Sequence, residues 1–124
     1  MESVIIVTPY NFDEIFKARI PRKYNVEKGA LGNLVISDGW TRLWLSQDES
    51  ILNTLDDAGL EKVINMFRDP IFYTLDFSDI KFCREVLLAI VDDPAILVDN
   101  DHGVMMSGPE FVHFLCGKPD WDWR

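Results

Sequence analysis

The stretch Leu34-Val35-Ile36-Ser37-Asp38-Gly39-Trp40-Thr41-Arg42-Leu43-Trp44-Leu45 decides the fold class. Two apolar runs flank Ser37-Asp38-Gly39-Trp40, and an Asp-Gly step favours a tight hairpin between antiparallel strands. A second hairpin follows from Ile96-Leu97-Val98 and Val104-Met105-Met106. They flank Asp99-Asn100-Asp101-His102-Gly103, whose Asn, Asp and Gly tolerate positive φ.

Outward from these hairpins, Val4-Ile5-Ile6-Val7 is β-branched and reads as a strand stopped by Pro9. Ile71-Phe72-Tyr73-Thr74-Leu75 reads as another. Asn11 is the expected cap of a short helix containing Ile15 and Phe16. Leu55, Leu60, Val63, Ile64 and Phe67 recur at helical spacing, with Asn53 or Thr54 as cap and Pro70 beyond the end. Ser78 is placed to cap a helix whose apolar face is Cys83, Val86, Leu87 and Ile90, stopped before Pro94. Ser107-Gly108-Pro109-Glu110 is a helix start with Ser at the cap, and Phe111, Phe114 and Leu115 form its expected buried stripe. Pro21 through Gly32 reads as a polar connection. The tail Lys118-Pro119-Asp120-Trp121-Asp122-Trp123-Arg124 alternates aromatic with acid, as suits an extended segment laying two indoles on the body. Intermixed strands and helices with hairpins predict an α+β fold: a mixed or mostly antiparallel sheet, helices packed against it, residues 1–124 as a single domain.

Composition narrows the function classes. The chain has 124 residues, 48% of them apolar, with eight Phe and four Trp, enough for one core without staples. Twelve Lys and Arg face 21 Asp and Glu, a net charge of −9. Such a surface argues against direct nucleic-acid binding, which needs cations to displace phosphate counterions, and against docking on anionic lipid. It steers a basic partner instead. Cys83 and Cys116 lie in apolar stretches without a C-x-x-C pair and read as small buried hydrophobes. No stretch approaches the ~20 apolar residues that cross a bilayer, and no basic leader is seen at Met1, so a cytoplasmic location is expected.

Candidate chemistry centres on Asp99, Asp101 and His102, with Glu110 and His113 downstream. Asp99, Asp101 and Glu110 match positions one, three and twelve of a calcium loop, but Val104 stands where the loop glycine belongs. A metal-dependent hydrolase built on Asp99, Asp101 and His102 is the second alternative. His113 reads as a partly buried, hydrogen-bonded side chain. Cys116 follows His113 by three positions, yet the apolar surroundings favour an inert thiol. No phosphate loop, nucleophile elbow or H-E-x-x-H helix is present. The expectation is therefore a non-enzyme without metal or cofactor. A binding surface is the stronger reading: Asp56-Asp57, Asp92-Asp93, Asp99/Asp101 and Asp120/Asp122 form acidic pairs. Trp40, Trp44, Trp121 and Trp123 are interface-type aromatics, each on its own more readily placed in a core.

The run from Ile96-Leu97-Val98-Asp99-Asn100-Asp101-His102-Gly103 through Ser107-Gly108-Pro109-Glu110-Phe111-Val112 to Pro119-Asp120-Trp121-Asp122-Trp123 resembles a group of small bacterial proteins. Their shared marks are an acidic Asp-Asn-Asp-x-Gly turn after a strand, a helix opening at Gly-x-x-Phe-Val and a Trp-Asp-Trp end. The likeness begins at Tyr73. In size, acidity and mixed architecture the whole chain is similar to immunity proteins of bacterial toxin systems, particularly those of contact-dependent growth inhibition. That resemblance implies an inhibitor that binds the C-terminal toxin domain of a cognate effector, often a basic nuclease, and covers its active site. Immunity families share no common residue motif, so no site residue carries over. The partner-binding residues expected from charge and aromatic content are Asp92, Asp93, Asp99, Asp101, Asp120, Trp121 and Asp122, with a non-catalytic adaptor module as the first alternative.

Overall fold

Four consecutive β-branched residues make Glu2–Thr8 (β1) a strand that buries side chains on both faces, the pattern of a sheet's centre. In this computed structural model, which describes residues 2–30, 32–100, 105–118 and 122–123, β1 lies between Ile71–Phe77 (β5) and Leu97–Asp99 (β6). The remaining strands are Asn25–Lys28 (β2), Leu34–Ser37 (β3), Arg42–Gln47 (β4) and Met105–Ser107 (β7). They complete a seven-stranded sheet in the order β2-β3-β4-β5-β1-β6-β7, every pairing antiparallel. The α+β reading stands, in its antiparallel form.

Helices α1 (Phe12–Arg19), α3 (Ile80–Ile90) and α4 (Gly108–Gly117) lie on one face of this sheet. Phe16 and Ile20 from the first, Phe82, Val86, Leu87 and Ile90 from the second, and Phe111 and Leu115 from the third pack on Val4, Ile6, Ile36, Leu45, Leu75 and Phe77. Trp123 closes the cluster at 2% exposure, its ring 5.1 Å from Phe77 and 5.7 Å from Phe111. Asn100 Nδ2 donates to the Trp123 carbonyl at 2.6 Å and so ties the chain's end to the end of β6. On the opposite face, α2 (Asp57–Met66) and a 3-10 turn (Glu49–Asn53) cover Ile5, Val7, Phe72, Leu97 and Met105 with Ile51, Val63 and Phe67.

The structure corrects several expectations. The expected connection contains β2, whose four residues are mostly exposed and show no clear apolar alternation; its pairing with β3 makes it a strand. Asp56 caps α2, accepting from Gly59 N at 2.7 Å, while Thr54 Oγ1 donates to Ile51 O and closes the 3-10 turn. Asp79, not Ser78, caps α3, accepting from Lys81 N and Phe82 N. Asn11 occupies the first cap but its side chain makes no capping bond. Ser107 caps α4 as read, accepting from Glu110 N at 3.2 Å. In α4 the buried pair is Phe111 and Leu115, four apart; Phe114, His113 and Cys116 face out. Only Cys83 is the expected inert thiol, and burial followed by the charge of Asp79 pushes it well above the ordinary value.

The β7 edge carries its own protection. Gly108 N donates to Ile96 O at 2.8 Å, which sets the hydrogen-bonded pairs at Ile96/Gly108 and Val98/Met106 and turns the Met105 carbonyl outward. Lys62 Nζ donates to that carbonyl at 2.9 Å, so α2 closes part of the edge.

Candidate protein-binding face

The two faces of the sheet are covered unequally. On the side away from α1, α3 and α4, the helix α2 reaches only the β1, β5, β6 and β7 region. Registers place Glu27, Val35, Trp44, Asp76 and Ser3 in one row across five strands of the uncovered part. Their alternation opposite the buried Leu34, Leu43, Leu45 and Leu75 puts them on this second face. Ser3 Oγ donates to Asp76 Oδ1 at 2.5 Å within the row. A shallow depression of about 320 Å³ opens there, with Glu27, Val35, Ser37, Arg42 and the half-buried Trp44 in its lining.

Ser37 and Arg42 also carry the hairpin turn at the rim of this depression. The Asp38 carboxylate organises that turn: Oδ1 accepts from Trp40 N and Thr41 N, both at 2.8 Å, and Oδ2 accepts from Thr41 Oγ1 at 3.0 Å. Ser37 Oγ accepts from Gly39 N at 3.0 Å, and Gly39 has φ of 100°, where a side chain would be strained. The Thr41 and Trp40 amides hold the Asp38 carboxyl below its usual range. The result is a built turn that displays Trp40 at 96% exposure. Taken singly this tryptophan reads as core; the register corrects that, because the tip of a tight two-strand turn has nothing to pack on.

Charge is segregated in the same sense. From Asp48 to Glu61 the chain has five carboxylates and no Lys or Arg, and this segment is the 3-10 turn and the start of α2. Three have structural work: Asp48 accepts from Ser50 N, Glu49 from Gln47 Nε2 and Asp56 from Gly59 N. Asp57 and Glu61 are exposed on α2, and Ile64, seven on from Asp57, shares their helical face at 65% exposure. Ile64 was expected in the core; Gly59, Val63 and Phe67 take that stripe instead. Beneath the N-terminus of α2 lies a pocket of about 190 Å³ lined in part by Asp56, Lys62, Asp99 and Met105.

On the helical side, the charged groups Arg19, Asp93, Arg84 and Glu85 make hydrogen bonds within the fold. Arg19 donates to Asp93 Oδ2 at 2.8 Å and to Ile90 O at 3.0 Å. Tyr24 Oη donates to Glu85, and Arg84 donates to Leu115 O. Burial, then the Glu85 hydrogen bond and charge, push Tyr24 up to about 12.

The sequence-predicted residues fall on different parts of this frame. Asp92 is exposed directly after α3. Asp93 is partly buried and structural; desolvation raises its carboxyl, but the Arg19 hydrogen bond, the Ala95 amide and the Arg19 charge lower it further. Asp99 is buried on the second face, lining the pocket under α2, and Asp122 is exposed next to Trp123. Asp101, Asp120, Trp121 and His102 lie outside the described residues. The structure thus parts Asp93 from Asp99, sets Asp57, Glu61 and Ile64 on one face of α2, and leaves Trp40 on the β3-β4 turn beside the depression that Trp44 lines. Among the described residues no three His, Cys, Asp or Glu side chains group as a metal site, and no helix is long and apolar enough to cross a membrane. The chain matches no family model, no curated protein and no solved structure.

Proposed function

We propose that this chain is a protein inhibitor of the immunity type, which neutralises a basic toxin domain by binding it and occluding its active site. The carrying observation is the pairing of exposed carboxylates with an exposed apolar side chain on α2: Asp57 and Glu61 beside Ile64, on the sheet face that also carries the half-buried Trp44. Clustered carboxylates draw a basic protein in, and adjacent exposed apolar groups give it something to bury. The resemblance of the whole chain, in size, acidity and mixed architecture, to immunity proteins of bacterial toxin systems supports the same class. On the α1, α3 and α4 side, Asp93 is already engaged by Arg19 and offers less to a charged partner.

The test is co-purification from the native host, then expression of the captured toxin domain in a sensitive strain with and without this chain. The reading expects growth to be restored by the intact protein in a one-to-one complex with a basic domain. Growth arrest unrelieved by the intact chain, or capture of several unrelated proteins as an adaptor would give, contradicts it.

A further inference from the structure

We propose that the Trp40 turn is the principal anchor of that complex: the indole inserts into an apolar cavity of the basic partner while Trp44 floors the contact. This assignment rests on the inhibitor reading above and adds to it a residue and a mode of binding. Among the described residues Trp40 is the most exposed large apolar side chain, at 96%. The backbone that carries it is not loose: Asp38, Thr41 and Ser37 hold the turn with four side-chain hydrogen bonds, to three backbone amides and one hydroxyl. A ring shown to solvent on a pre-ordered turn loses little conformational freedom on binding, so most of its burial appears as affinity. Tryptophans in that position dominate measured interfaces.

Charge selects the occupant. Asp38, exposed and bonded to the Trp40 amide, is held ionised by the turn amides. Glu27 lines the neighbouring depression, opposed there by Arg42 and Lys28, so the immediate rim is nearly balanced. The excess of carboxylate sits further along the face, at Asp48 through Glu61. A basic protein with an apolar cavity flanked by its cations fits this layout: cations toward α2, cavity over Trp40. A second copy of this chain does not, because it would bring the same carboxylates against each other. Electrostatics then governs how fast the partner arrives, and the indole how long it stays.

The experiment places p-benzoylphenylalanine, one position at a time, in place of Trp40, Ile64 or Lys81 in the full-length chain. The protein is photo-crosslinked in host cells, and the captured protein is purified for kinetics against the unlabelled chain. The inference expects one basic protein captured from positions 40 and 64 and none from position 81 on the helical side. It also expects Trp40→Ala to weaken binding about 30-fold or more, mainly through faster dissociation. Trp40→Phe recovers part of that loss, and because the ring packs on little in the free protein, both variants keep the parent melting temperature. A basic partner captured from position 64 but not 40, or bound within threefold by Trp40→Ala, overturns the anchor and leaves the inhibitor reading standing. Capture at position 40 of a second copy, or of an acidic protein, overturns both. No product at any position overturns the anchor, and failed growth rescue overturns the inhibitor reading independently.

Discussion

Replacing Trp123 by Ala probes how the chain's end holds the helical side together. The indole is 2% exposed and meets Phe77 and Phe111 at 5.1 and 5.7 Å. Burying ~200 Å² at ~25 cal/mol per Å² is worth about 5 kcal/mol, and each ring pair adds ~1 kcal/mol. Freeing residue 123 and its neighbour Asp122 returns backbone and side-chain entropy of ~1–2 kcal/mol per residue, which offsets part of the loss. A net of about 4 kcal/mol agrees with the ~3–5 kcal/mol usual for truncating a buried Trp. With ~2.1 cal/mol/K of unfolding entropy per residue over 124 residues, that lowers Tm by ~15 °C. Calorimetry of wild type, Trp123→Ala, Asn100→Ala and the double variant is the assay. Because Asn100 Nδ2 holds the Trp123 carbonyl, the double variant loses less than the sum of the two singles. A fall of less than ~4 °C for Trp123→Ala, or full additivity, refutes the picture of the tail as a core plug.

Gly108→Ala places a Cβ 1.8 Å from Val91 O and 3.0 Å from Asp93 O, backbone atoms that cannot swing away. It therefore costs ~2–3 kcal/mol in urea unfolding despite alanine's better helix propensity. Asp93→Asn loses the ionic bond to Arg19 and lowers stability by ~1–2 kcal/mol, yet leaves partner binding unchanged, since Asp93 acts on the helical side. Tyr24, raised to about 12 by burial and Glu85, is neutral and bonded through the whole neutral range. Its folded value lies above the ordinary tyrosine value, so its contribution is complete below ~pH 10 and is lost as pH climbs toward 12. Absorbance at 295 nm should show one tyrosine titrating late, and Tyr24→Phe should remove that step.

Much of the fold was legible because its strongest signals are local. The Asp38-Gly39 turn, the β-branched run at Val4–Val7 and the Ser107 capping box each specify their own geometry over a few residues. The strand β2 was not legible: Asn25-Val26-Glu27-Lys28 has little to say without β3 beside it. Caps at Asp56 and Asp79 were missed because two or three capping residues stand in a row at each site, and only the helix's start chooses among them.

The candidate face was legible in kind but not in place. Asp56-Asp57, Trp40 and Trp44 stand out in the sequence as acidic and aromatic, as do Asp92-Asp93. Nothing in the linear order tells that the segment after α3 brings Asp93 to Arg19, while α2 leaves Asp57 exposed on its outer side. Register decides it: the row Glu27, Val35, Trp44, Asp76, Ser3 exists only once five strands are aligned. Ile64 was misplaced for a related reason. The α2 helix buries a narrow stripe, here Gly59, Val63 and Phe67, and Ile64, at the side of the wider apolar arc that periodicity suggests, is left in solvent.

The most direct measurement of whether the carboxylate-rich side receives a cationic protein is the association rate of the captured partner across ionic strength. It would be taken for the parent chain, for Asp57→Lys with Glu61→Lys, and for Asp92→Lys as a control on the other side. The account predicts an association rate that drops about tenfold or more from low to high salt, a similar drop at low salt for the double reversal, and little change for the control. A rate indifferent to salt and to the double reversal, or one that responds only to Asp92, would contradict it.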